Sequence, residues 1–171
     1  MLEVEIKARI ADVSKLDEIR NKLKSLNAKF IKTEIQEDIY FAHPTRDFGK
    51  TDEAIRVRKI DNDYFLTYKG PRIDKETKTR EEIEILVEKD ITKILKKLCF
   101  AEWRCVKKTR ETYKLDGLTI CLDDVFGIGN FIEIESGDYG DKEKIFEMLG
   151  KLGVDREECI REAYTELQGE A

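Results

Sequence analysis

An α+β fold is predicted here: an eight-stranded antiparallel β-barrel, closed on itself, with helices packed on its outside. Three observations predict it. Period-two alternation of aliphatic and charged residues recurs in segment after segment. Two of the joins between these segments carry hairpin turn chemistry. A few amphipathic helical stretches, each with one apolar stripe, supply the outer layer.

The first segment, "LEVEIKARI", sets Leu2, Val4, Ile6 and Ala8 on one side and Glu3, Glu5, Lys7 and Arg9 on the other. Strands are expected near 1–9, 30–41, 54–60, 63–69, 78–88, 103–114, 117–126 and 130–136. "KIDNDYFL" (59–66) and "YKLDGLTI" (113–120) are hairpins, the second turning on Asp-Gly. Strands joined by hairpins run antiparallel, and a mainly antiparallel sheet of this many strands can close into a barrel.

Helices are expected over 12–28, 90–101, 141–153 and 155–168. In the first, Val13, Leu16, Ile19, Leu23 and Leu26 form the stripe, and Asp12 or Ser14 caps its start. Asp90 caps the second, and Gly153 stops the third.

With 171 residues, the chain suits one domain over 1–171 with a single sizeable core. Charged residues make up 40% and the net charge is -5, which argues against a nucleic-acid binder, since such proteins need clustered excess Lys and Arg. Cys99, Cys105, Cys121 and Cys159 form no C-x-x-C pair, and His43 is the sole histidine. Zinc is therefore not expected, and the thiols are read as reduced. With no leader pattern and no apolar run of membrane-spanning length, a cytoplasmic protein off the membrane is expected. A homodimer is compatible with this reading.

The polar faces carry the chemistry. Since the helices need the aliphatic side, closure makes the charged side a lumen. That lumen receives seven acids, Glu3, Glu5, Glu82, Glu84, Asp123, Glu133 and Glu135, and seven bases, Lys7, Arg56, Arg58, Lys69, Arg80, Lys108 and Arg110. Confined charges are costly unless paired or bound to ions. The like-charged pairs Glu3 with Glu5 and Glu133 with Glu135 call for a divalent cation, and oxygen ligands favour Mg2+, Mn2+ or Ca2+. Arginine forks and lysines on other walls suit phosphate oxygens. Acids for a metal beside bases for phosphates is the logic of phosphoryl transfer.

"EVEIK" (3–7) resembles the E-x-E-x-K signature of the CYTH family, also called triphosphate tunnel metalloenzymes. The resemblance continues through "EDIYF" (37–41), "AIRVRK" (54–59), "LTYKGP" (66–71), "TREEIE" (79–84), "KKTRETY" (107–113), "LDDVFGIGNFIEIE" (122–135) and "AYTEL" (163–167). It implies a barrel open as a tunnel that binds a triphosphate with Mg2+ or Mn2+. Glu3, Glu5, Asp123, Glu133 and Glu135 would serve the metal, with the last two facing Glu3 and Glu5. Lys7, Arg56, Arg58, Lys69, Arg80, Lys108 and Arg110 would hold the phosphates. Glu5, Lys7, Lys69 and Asp123 are the candidate catalytic residues.

The resemblance is nearest to class IV adenylyl cyclases, which implies conversion of ATP to cyclic AMP and pyrophosphate. A triphosphatase acting on inorganic or thiamine triphosphate is the alternative. A non-catalytic nucleotide or polyphosphate binder is the third reading. Trp103 and Phe100 are expected in the core or an interface, and His43 in a plain loop. Lys107 falls outside the tunnel by parity.

Overall fold

The computed structural model describes residues 2–74 and 76–169; the first residue of the expected 1–9 strand lies outside them. The strands are β1 (Leu2–Ile10), β2 (Lys29–Ala42), β3 (Ala54–Ile60), β4 (Asp63–Lys69), β5 (Arg80–Val87), β6 (Ala101–Leu115), β7 (Leu118–Val125), β8 (Gly129–Ser136) and the short β9 (Cys159–Ile160). The helices are α1 (Val13–Ser25), α2 (Phe48–Thr51), α3 (Ile91–Lys97), α4 (Lys142–Lys151) and α5 (Tyr164–Leu167).

The spatial order is β5-β4-β3-β2-β6-β7-β8-β1, and a β1–β5 pairing closes the barrel. All these pairings are antiparallel. Both expected hairpins are present: Ile60 pairs with Asp63, and Leu115 with Leu118 across Asp116 and Gly117. Asp116 and Gly117 both take positive φ (51° and 80°), which the tight turn requires.

Closure at the β1–β5 seam is short. Among the described residues, only Leu2 with Glu81 and Glu3 with Arg80 pair there. Backbone groups further along β1 need other partners. The Lys78 amide donates to the Glu5 carbonyl at 2.9 Å. Beyond it, β9 pairs with Lys7 and Ala8. Three separate pieces of chain thus share one edge of β1.

This seam corrects the expected helix over 155–168. The segment forms a single turn at Arg156–Glu158, then β9, then the one-turn α5. Its apolar residues do not share a helical stripe. Ile160, Tyr164 and Leu167 pack with Val106, Val125 and Phe131 on the lumen side of the barrel. Pairing with the open edge of β1 and filling that end outweigh helix propensity.

Helices α1 and α4 cover the outer faces of β1, β7 and β8. Leu16, Ile19 and Leu23 with Ile145, Met148, Leu149 and Leu152 bury Val4, Ile6, Ile120, Leu122, Ile132 and Ile134. Asp12 caps α1 by accepting from the Lys15 amide at 2.9 Å. Gly153, at φ +78°, follows the end of α4. The shorter α3 sets Leu95 against Phe41 and Val57. Cover is incomplete: Ile83 and Ile85 on β5 are 50% and 53% exposed.

Among the described residues, no helix is long and apolar enough to cross a membrane. The four cysteines are free.

Candidate active site

Parity on β1 turns Glu3, Glu5 and Lys7 into the barrel, because Val4, Ile6 and Ala8 are fully used in the helix-covered core. They line a cavity of about 640 Å3. The same cavity is lined by Arg56, Arg58, Lys69, Arg80, Glu82, Glu84, Lys108, Arg110, Glu133 and Glu135.

Glu3, Glu5 and Glu135 bring carboxylate oxygens within 4.8 Å of one another. Glu135 stands opposite Glu5 in the β1–β8 pairing, and Glu133 opposite Lys7. The two glutamates of β8 therefore lie beside those of β1 on the adjacent strand, and do not face them across the lumen. Their environments differ. Burial first, then Glu82 and Glu135, push Glu3 up to about 9 against the pull of Lys69. Burial also raises Glu135, helped by Glu133 and Glu5 and opposed by Arg110. Glu5 is lowered: the lysines at 78, 7 and 69 outweigh burial and the repulsion of Glu133. A hard divalent cation fits this trio, because its charge offsets three adjoining carboxylates whose cationic partners are distant, Lys78 to Glu5 at 3.4 Å and Arg110 to Glu135 at 3.5 Å.

The rest of the lumen is a network of buried ion pairs. Asp123, fully buried, accepts two bonds from the Arg110 fork at 2.6 Å each. It also accepts from Lys108 at 3.0 Å and from the Tyr164 hydroxyl at 2.8 Å. Glu133 pairs with Lys7 at 3.1 Å and with Arg110. Asp123 and Glu133 thus have cationic partners and lie outside the close trio. Burial raises both of them, but Arg110 and its neighbouring lysines hold both below the usual carboxylate range.

On β2, Asp38 takes the Arg58 fork at 2.7 Å on each oxygen. Arg56 donates to Glu84 and to Thr67, each at 2.9 Å. Lys69 pairs with Glu82.

Sequence reasoning missed Asp38, Lys78 and Tyr164. Asp38 was legible: it alternates with Ile39 in "EDIYF" and accepts an arginine fork much as Asp123 does. Lys78 was legible too: it lies in the expected 78–88 strand in phase with Arg80, Glu82 and Glu84, although β5 itself begins at Arg80. Its ammonium is 3.4 Å from Glu5 and 3.2 Å from the Glu162 carbonyl. Burial and the nearby Lys7 lower it to about 7, against the pull of Glu5. Tyr164 lies in "AYTEL", one of the stretches that carry the resemblance, but its segment reads as a helix, which gives it no role. It also faces Lys7, whose ammonium sits 3.5 Å from the ring centroid.

Of the two places expected for Trp103, the core is ruled out. Instead of joining the core it is 56% exposed and lines the cavity. The β2–β6 register shifts between Tyr40 and Phe41, pairing Tyr40 with Arg104 and Phe41 with Glu102. Trp103 is the extra residue of that bulge, and a bulge re-aims side chains. His43, Phe48 and Tyr40 line the cavity with it. Lys107 is exposed and pairs with Glu37 at 3.1 Å.

Comparison with known proteins agrees with this geometry. The CYTH domain model matches residues 1–164. "Putative adenylate cyclase MJ0240" of Methanocaldococcus jannaschii is 46% identical over 177 residues, covering 99% of each chain. The solved PH1819 protein of Pyrococcus horikoshii OT3 is 43% identical, with a TM-score of 0.84 over 97% of both chains. HpAC1 from Hippeastrum, a "putative adenylyl cyclase" for which a dominant triphosphatase activity is reported, is 20% identical. Its TM-score is 0.66 over 89% of this chain and 88% of that one, a likeness of fold. The chain belongs to the CYTH domain family.

Proposed function

We propose that this protein is a divalent-cation-dependent enzyme acting on a triphosphate, with ATP as substrate and cyclic AMP and pyrophosphate as products. One observation carries the reading: three adjoining carboxylates and a wall of lysines and arginines share one cavity. Simple anion binding gives no reason to place three acids together, two of them raised in pKa.

Glu3, Glu5 and Glu135 would hold Mg2+ or Mn2+. The bound cation supplies charge neutralisation for phosphate oxygens as the leaving group departs. Lys7, Lys69, Arg56, Arg58, Arg80, Lys108 and Arg110 bind and align the phosphate chain. Asp38 and Asp123 fix the forks of Arg58 and Arg110, so those donors need little reorganisation during the reaction. In cyclisation the ribose 3′-hydroxyl attacks the α-phosphorus, loses its proton, and pyrophosphate leaves.

Hydrolysis of a triphosphate is the second reading, favoured by the activity reported for HpAC1. It uses the same cavity with water as nucleophile and orthophosphate as product.

The test is product analysis of purified protein with Mg2+ or Mn2+, given ATP, inorganic triphosphate and thiamine triphosphate in turn. Cyclic AMP and pyrophosphate from ATP support the proposal. Orthophosphate together with the matching diphosphate (ADP, pyrophosphate or thiamine diphosphate), and no cyclic AMP, assigns hydrolysis. Absence of any product from all three substrates overturns the enzymatic reading.

A further inference from the structure

One end of the cavity is chemically unlike the rest. Around the charged interior, acids and bases alternate and are paired. Where β2 ends and β6 begins, the lining becomes aromatic: Tyr40, Phe41, His43, Phe48 and Trp103. The β-bulge at Trp103 places an indole, more than half exposed, on the cavity side beside the end of β2. Surface tryptophans with this much bare ring area cost solvation unless something covers them.

His43 lines the same cavity and is held in place by its neighbours. Its ring lies 5.4 Å from that of Phe48 and 5.1 Å from that of Phe100, centroid to centroid. Its Nδ1 accepts the amides of Thr45 and Arg46 at 3.1 and 3.0 Å. Accepting there leaves Nε2 as the ring's N–H donor. The charges at this end are not those of a phosphate site. Asp47, Asp52 and Glu53 line it, while Arg46 is paired with Glu53 at 2.9 Å and Arg72 with Asp52. A further phosphate would meet carboxylates here. An uncharged planar ring would not.

We infer that Trp103, with His43 and Phe48, is a shelf that stacks the nucleobase of a nucleoside triphosphate whose phosphates occupy the charged interior. The inference rests on the triphosphate reading above and assigns the residues that would favour a base-bearing substrate over inorganic triphosphate. Stacking on an aromatic side chain tolerates any base, so the shelf selects for a base over none more than for adenine over guanine. The guanidinium of Arg104, 5.4 Å from the indole, adds a cation to the same stack.

Trp103 is the sole tryptophan of the chain, so its fluorescence reports this site without interference. The experiment titrates the protein, in Mg2+, with bis-methylene analogues of ATP and of inorganic triphosphate, which do not turn over. The ATP analogue is expected to quench Trp103 and the base-free analogue to leave it nearly unchanged. A competition assay with a labelled triphosphate then compares Trp103→Ala and Trp103→Phe with the parent. Trp103→Ala should weaken the ATP analogue by about tenfold relative to the base-free one. Trp103→Phe should recover most of that loss. An unchanged ratio in Trp103→Ala, with both analogues still bound, overturns the shelf and leaves the triphosphate reading standing. Conversion of a dimer to a monomer in Trp103→Ala with an unchanged ratio also overturns it, and assigns the indole to an interface between copies. Failure of the parent to bind either analogue overturns both readings together.

Discussion

Glu5 and Glu135 stand directly opposite each other on neighbouring strands, two inward carboxylates at one register position of the β1–β8 pairing. Like charges so placed disfavour the sheet. Glu3 joins them within 4.8 Å. On the adjoining register step the barrel avoids the conflict by setting Lys7 opposite Glu133. Lys78 approaches Glu5 only at 3.4 Å and Arg110 approaches Glu135 at 3.5 Å, so this carboxylate cluster is the candidate cation position.

Glu5→Gln keeps volume and shape while deleting charge, and a neutral amide oxygen is a poor ligand for a hard cation. The variant should fold normally and lose at least about tenfold in turnover, about 1.4 kcal/mol, with partial rescue by added Mg2+ or Mn2+. Glu135→Gln should behave alike, now from the adjacent strand. Glu81→Gln, exposed and out of phase, should be nearly silent. Turnover measured against metal concentration for the three variants checks this.

Metal-free stability should fall as pH rises from 4.5 towards neutrality. Over that range folded Glu3, with its pKa pushed up to about 9, keeps a proton that the unfolded chain has lost. Where the folded state binds more protons, stability declines with pH. Glu135, also raised, has the same sign. Lys78, lowered from 10.5 to about 7, has the opposite sign between those values, so the decline should flatten above neutrality. Thermal melts in EDTA across this range test the slope. Glu3→Gln should reduce it, and added Mg2+ should stabilise more at higher pH because it displaces the proton.

Sequence alone suggests that Arg56→Ala and Arg110→Ala would leave the fold intact. The ion-pair network changes that expectation for Arg110. Its removal strips buried Asp123 of a bidentate partner and Glu133 of one of its cations. Loss of one partner from a buried pair costs roughly 3–5 kcal/mol. Arg110→Ala should therefore lower the denaturation midpoint sharply as well as weaken triphosphate binding. Arg80→Ala, on a half-buried residue at the short seam, should weaken binding with a much smaller stability cost. Chemical denaturation alongside binding isotherms separates the two outcomes.

Strand alternation made the barrel and its charged lumen legible, because a period of two assigns every inward side chain once the helix-covered face is known. Glu3, Glu5, Arg56, Lys108 and Arg110 all follow from that rule. Three features did not. The seam at β1 depends on how far β5 reaches along it, and that left β9 unseen. The 155–168 segment carries helical periodicity, yet Ile160 and Tyr164 are drawn apart by strand pairing and lumen packing. Trp103 breaks parity through a bulge, and a one-residue register slip leaves no mark in composition.

The most direct test is phosphorus NMR of the protein incubated with ATP and Mg2+, followed by EDTA. The account predicts loss of the ATP resonances with appearance of cyclic AMP and pyrophosphate, stopped by EDTA and strongly slowed in Glu5→Gln. ATP turnover that continues unchanged in EDTA, or that proceeds equally in Glu5→Gln, would contradict a metal-assisted reaction at the Glu3, Glu5 and Glu135 trio.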